Sequence, residues 1–289
     1  MISRLIALVI LALLLWAGIP TARTAFLIEE HGGSAVTASH SLPLRDVSFS
    51  ATDGVPLRGW LVPARHLAPT IILIPGFKAD RMTMLPYARL LHPRYTVLLY
   101  DPRGTGQSGG VFCLGAGEVR DVRGALRFVE RSPGLARRPI GLLGVSLGSG
   151  DAIVAAAQDH HVAAVVADSP YTDQTAVVHA LDRLHAGPVT VPLAPLAPFL
   201  VDHLCHVTIA HFRPIAAVGH IAPRALLLIH ARGDTNSTTL LSAAEALLHA
   251  AHAPAFLWIA PHGGHAAALA AQPNQYRAHV LTFFRRYLR

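Results

Sequence analysis

A chain of 289 residues with 52% hydrophobic and only 14% charged side chains can bury a sizeable core, which excludes disorder as its main state. The length fits one large α/β domain or at most two small ones, and scattered Gly and Pro without heptad runs exclude collagen-like and coiled-coil chains. The formal net charge of +7 raises nucleic-acid binding as a possibility, and two cysteines, Cys113 and Cys205, are too few for a disulfide scaffold or a zinc ribbon.

At the N-terminus, Leu5 to Ile19 is an unbroken apolar run preceded by Arg4 and closed by Pro20. With its flanks it reaches the roughly 20 residues a spanning helix needs. Residues 1–28 are therefore expected to form a signal anchor or transmembrane helix. A cleaved secretory signal is the alternative, but Arg23 or Pro20 would occupy the small-residue position of a cleavage site. The charges around the run predict an N-in orientation, with the bulk of the chain exported to a cell envelope and held at the membrane. Residues 29–44 are small and polar and read as a linker.

The body, residues 45–289, alternates strands and helices. Arg45 to Ser50 and Pro56 to Pro63 flank the turn Thr52-Asp53-Gly54 and predict an antiparallel hairpin. Short continuous apolar runs follow at Thr70 to Pro75, Tyr95 to Tyr100, Pro139 to Val145, Val162 to Ala167, Arg224 to His230 and Ala255 to Ala260. Such runs suit parallel strands buried on both faces. Helices are expected at Met82 to His92, Glu118 to Arg131, Leu147 to Gln158, Thr238 to Ala250 and Gln275 to Tyr287. The pattern predicts a mostly parallel, doubly wound sheet. About residues 170–223 break the rhythm. The prolines at 188, 192, 195 and 198 forbid a second spanning helix, and the segment is expected to be a lid over the carboxyl ends of the strands.

Three strand ends carry the chemistry. Gly144-Val145-Ser146-Leu147-Gly148 is G-x-S-x-G between a buried strand and a helix, the setting of a nucleophile elbow. A serine hydroxyl needs a base oriented by an acid, and this elbow is followed in chain order by Asp or Glu and then His. Asp234 follows one strand and His265 the next, so Ser146, Asp234 and His265 are the expected catalytic residues. Asp168 is the rival acid and His262 the rival base. The oxyanion hole calls for two backbone N–H groups, expected from Leu147 and from Phe77 in Pro75-Gly76-Phe77.

These motifs, with Asp101-Pro-Arg-Gly-Thr-Gly-Gln-Ser-Gly109, Glu118-Val-Arg-Asp121, Asp168-Ser-Pro170 and Ile229-His-Ala-Arg-Gly-Asp234, resemble the α/β-hydrolase superfamily over residues 45 to 289. Within it the chain is similar to bacterial membrane-anchored hydrolases of the dienelactone-hydrolase-like and serine-aminopeptidase-like kinds. Two positions depart from the pattern: Pro75 stands where a His is common before the oxyanion Gly, and Ala231 where a Gly commonly follows the strand-end His230. The resemblance implies an α/β-hydrolase fold and a serine hydrolase cleaving carboxyl esters or thioesters through an acyl-enzyme. A small-molecule or lipid-like acyl compound is the expected substrate, and neither a cofactor nor a metal is expected.

A serine peptidase of the same fold and a non-catalytic membrane-anchored binding protein are the alternatives. Among the 18 histidines, His203 and His206 could share a helix face, but a metal site needs a third ligand. No nucleic-acid partner is expected, because the arginines are dispersed and no aromatic platform interleaves with them. A solvated helix face or attraction to anionic headgroups explains the charge. Whether Cys113 and Cys205 pair is open at this level, since spacing alone does not fix the Cα separation.

Overall fold

The computed structural model describes residues 2–29, 42–64, 67–174, 183–186, 189–192, 197–252 and 254–288. The body opens with β1 (Arg45–Ser50) and β2 (Pro56–Val62), then β3 (Thr70–Ile74), a 3-10 turn (Arg81–Met84) running into α2 (Leu85–Leu91), and β4 (Thr96–Tyr100). There follow α3 (Val119–Arg131), β5 (Ile140–Val145), α4 (Leu147–Gln158) and β6 (Val162–Asp168). After an excursion come β9 (Ala225–Ala231), a helix at Leu241–Ala250, β10 (Ala255–Ala260), a short helix at Ala268–Ala271 and a closing helix at Pro273–Tyr287.

The eight-stranded sheet runs β1-β2-β4-β3-β5-β6-β9-β10. The β1–β2 hairpin and its junction with β4 are antiparallel, and every pairing from β4 onward is parallel. Every residue of β3, β4, β5 and β9 is buried, which explains their uninterrupted apolar sequences. Alternate side chains of these strands feed two cores. One holds Ile72, Leu142 and Val165 with Val122, Leu126 and Ile153 of α3 and α4. The other holds Leu73, Leu143 and Ile229 with Leu91 of α2 and Val280 and Phe284 of the closing helix. This is the expected doubly wound sheet with its N-terminal antiparallel hairpin.

The loop between β4 and α3 is stapled by carboxylates. Asp101 accepts N–H bonds from Arg81 and Gln107, and Arg103 bonds Asp121 and Asp53. Glu118 caps no helix-end N–H. Its two oxygens instead accept from the Cys113 and Gly115 amides, each at 2.6 Å. Burial, then neighbouring Asp121, pushes its carboxyl up to about 7.

Three sequence expectations change. First, α1 (Ile2–Glu29) is helical, yet among the described residues no helix is long and apolar enough to cross a membrane. The unbroken apolar run Leu5 to Ile19 makes about 22 Å of helix at 1.5 Å per residue, against a hydrocarbon core of about 30 Å. The transmembrane anchor, the membrane as partner and the envelope localisation drawn from it are therefore withdrawn. Second, the helix expected from Thr238 begins only at Leu241, because Thr238 and Thr239 belong to a turn whose N–H groups bond the Asn236 side chain and carbonyl. Third, the excursion after β6 contains a small antiparallel hairpin, β7 (Arg183–Ala186) with β8 (Val189–Pro192), before α5 (Ala197–Cys205) and the short α6 (Pro214–Ala217). The proline run hid it, since Pro192 sits at a strand end where no ladder donor is required. The rest of the expected linker, residues 30–41, and parts of the 170–223 excursion (175–182, 187–188 and 193–196) lie outside the described residues.

Candidate active site

Ser146 sits between β5 and α4 with φ 54° and ψ −119°, a left-handed conformation that costs a non-glycine residue on the order of 1–3 kcal/mol. The crossing chains hold it there. A Cβ on Gly144 would strike the Gly148 carbonyl, and one on Gly148 would strike the Pro75 and Ile74 carbonyls. The two glycines of G-x-S-x-G are thus the room the elbow needs.

His265 follows β10 and Asp234 follows β9. The structure brings both to Ser146: Ser146 Oγ lies 2.8 Å from His265 Nε2, and His265 Nδ1 lies 2.9 Å from Asp234 Oδ2. The Asp234 carboxylate only accepts, so Nδ1 carries the imidazole proton and Nε2 is left to accept from the serine hydroxyl. Asp234 is 7% exposed, and its other oxygen takes the Asn236 N–H at 2.9 Å. His265, with a side chain 29% exposed, faces a cavity of about 300 Å³ lined by Gly76, Phe77, Met84, Tyr87 and Ser146. A larger cleft of about 530 Å³ beside Phe256, Trp258 and Tyr287 contains none of these residues.

The rivals stand elsewhere. Asp168 gives one carboxylate oxygen to the Tyr276 hydroxyl at 3.0 Å and the other to Ser169. Burial raises its carboxyl to about 6 against those bonds. Its backbone carbonyl takes the Ser146 N–H at 2.8 Å, so Asp168 supports the elbow from the neighbouring strand. His262 is on the surface. Leu147 is the first residue of α4, where N–H groups have no intrahelical partner. The loop carrying Phe77 passes close by: a Cβ on Gly76 would come within 3.2 Å of Ser146 Cβ. The Phe77 ring stands edge-on to Phe112, with centroids 5.2 Å apart.

Two features escaped the sequence. Cys113 and Cys205 form a disulfide, Cα to Cα 5.8 Å, which ties the loop after β4 to α5. Thr239 approaches both Asp234 and His265, and nothing marked it because its turn reads as the start of a helix. For metals, His203 stacks on Phe199 instead of pairing with His206. Among the described residues, the grouping with ligand-like spacing is Glu130, Asp159 and His161. There the imidazole already bridges both carboxylates at 3.2 and 2.9 Å.

The model of the X-Pro dipeptidyl-peptidase (S15) family matches residues 68–193. A polyketide transferase of a Penicillium species, grgF, is 36% identical over 145 residues, 48% of this chain and 49% of that protein. A thiohydrolase of Eupenicillium brefeldianum is 33% identical over 135 residues, 45% of this chain and 44% of that protein. The chain thus spans about half the length of these curated relatives. Among solved structures, the Pyrococcus furiosus esterase Pf2001 superposes with a TM-score of 0.72 at 21% identity, covering 89% of this chain and all of that one. The Penicillium GrgF hydrolase superposes at 0.69 and 23% identity, covering 86% and 99%. With its sheet order, its elbow and these superpositions, the chain has the α/β-hydrolase fold.

Proposed function

We propose that the chain is a serine hydrolase of carboxylic esters or thioesters, with Ser146 as nucleophile, His265 as base and Asp234 as its orienting acid. The observation that carries this reading is the unbroken hydrogen-bonded line from Ser146 Oγ through the imidazole to Asp234. Ser146 Oγ attacks the substrate carbonyl as its proton passes to His265 Nε2. The Leu147 and Phe77 amides receive the oxyanion; a donor of that kind is typically worth 10²- to 10³-fold in rate. The tetrahedral adduct collapses, His265 returns the proton to the leaving alcohol or thiol, and water releases the acyl group by the same steps.

The relatives' names, thiohydrolase and polyketide transferase, favour acyl thioesters, and the cavity beside Ser146 suits a small, apolar acyl group. In this reading the excursion after β6 is the lid, fastened by the disulfide and by Arg120, which donates to the Cys205 and His206 carbonyls. A serine peptidase is the second reading, favoured by the S15 match. Turnover of p-nitrophenyl esters and acyl thioesters beside X-Pro-p-nitroanilides tests both. Ester or thioester turnover that exceeds anilide turnover supports the hydrolase reading, and anilide turnover alone reverses it.

A further inference from the structure

We infer that Thr239, anchored by His230, is a positioning residue of the proton relay, an addition that rests on the serine-hydrolase reading. Thr239 is 3% exposed, and its Oγ1 lies 3.2 Å from Asp234 Oδ2 and 3.0 Å from His265 Nδ1. The direction of each bond follows from what each group can do. A carboxylate only accepts, so the threonine hydroxyl donates to Asp234. Its lone pairs then face the Nδ1–H of His265, which is shared between Asp234 Oδ2 and Thr239 Oγ1. One hydroxyl therefore holds the carboxylate in place and gives the imidazole proton a second acceptor.

Thr239 is itself fixed at both backbone groups. Its N–H donates to Asn236 O at 3.1 Å, and its carbonyl lies 2.6 Å from His230 Nε2. A carbonyl cannot donate, so His230 Nε2 carries a proton. His230 is fully buried, and its Nδ1 has no hydrogen-bond partner among the described residues. Its Nε2 lies 3.7 Å from Asp234 Oδ2, too far for a hydrogen bond. Of the two imidazoles, His265 is the one within hydrogen-bond reach of Asp234 Oδ2. Among the described residues, the other titratable groups on this side are Asp168, committed to Tyr276 and Ser169, and Tyr87, which lines the same cavity as His265.

Thr239→Val keeps the shape and removes the hydroxyl. Without that donor the Asp234 carboxylate is more basic and holds the imidazolium more tightly. For p-nitrophenyl butyrate we expect kcat about tenfold lower with KM within about twofold. The acid limb of kcat/KM should move to higher pH, and Thr239→Ser should restore both. His230→Phe, which removes the donor to the Thr239 carbonyl, should give the same signature more weakly. An unmoved acid limb, or a loss confined to KM or not rescued by serine, overturns the inference.

A readout independent of turnover separates the two claims. The Nδ1 proton of His265, assigned in the ¹H NMR spectrum by its absence in His265→Ala, should shift in Thr239→Val and return in Thr239→Ser. An unshifted proton overturns the role of Thr239 whatever the enzyme does. A wild type that neither turns over esters nor reacts with a fluorophosphonate overturns the hydrolase reading instead.

Discussion

Cys113 and Cys205, 92 residues apart in sequence, close a disulfide that links the loop after β4 to α5. The same loop presents Phe112 to Phe77, so one covalent tie restrains both the excursion after β6 and the segment beside Ser146. Closing so long a loop removes much unfolded-chain entropy, typically about 2–4 kcal/mol of stability. Replacing both cysteines by serine should lower the unfolding free energy by that amount. Thermal melts of the two proteins without reductant check it, and the oxidised wild type should release no free thiol when denatured.

Gly76→Ala tests the closeness of the oxyanion loop. An added Cβ would sit 3.2 Å from Ser146 Cβ and 3.3 Å from the Val145 carbonyl, tight enough to move the loop by a few tenths of an ångström. The variant should fold with a near-native melting temperature and lose about 10²-fold in kcat, as when one oxyanion donor is misplaced. Unchanged kcat would separate Phe77 from the oxyanion hole.

Asp168 gives a pH dependence with a definite sign. Its carboxyl is raised from 3.8 to about 6 by burial, so the folded state holds a proton that the unfolded chain releases. That stabilisation is complete below about pH 4 and fades as pH rises through about 6. Asp168→Asn, which keeps an acceptor for the Tyr276 hydroxyl and cannot ionise, should flatten this component. Its melting temperature should gain on the wild type between about pH 4 and 6 and hold that gain at higher pH. Asp53 does not blur the comparison. Burial opposes its ionisation, but Arg103 and Arg120 outweigh it and hold its carboxyl at about 2.

Much of this architecture is legible in the sequence, because strands buried on both faces must be continuous apolar runs: Thr70–Ile74, Thr96–Tyr100 and Ile140–Val145 fall within the predicted stretches. Ser146, Asp234 and His265 could be named because each directly follows such a strand. What was hidden depends on contacts between distant segments. The Cys113–Cys205 pairing needs the packing of α5. Thr239 needs the exact start of the helix at Leu241, and local periodicity does not fix that start to within two residues. The N-terminal run misled in the other direction. Its composition reads as a spanning helix, whereas its unbroken apolar run, Leu5 to Ile19, falls short of the roughly 20 residues a span needs.

The central claim is that Ser146 is a nucleophile activated by His265 and oriented by Asp234. Its most direct measurement is intact-protein mass spectrometry after treatment with a fluorophosphonate. The account predicts a single adduct on the wild type, mapped to the peptide containing Ser146, with no adduct on Ser146→Ala and labelling slowed at least 10³-fold in His265→Ala. Folded wild-type protein that takes up no label, or Ser146→Ala that labels as fast as the wild type, would contradict it.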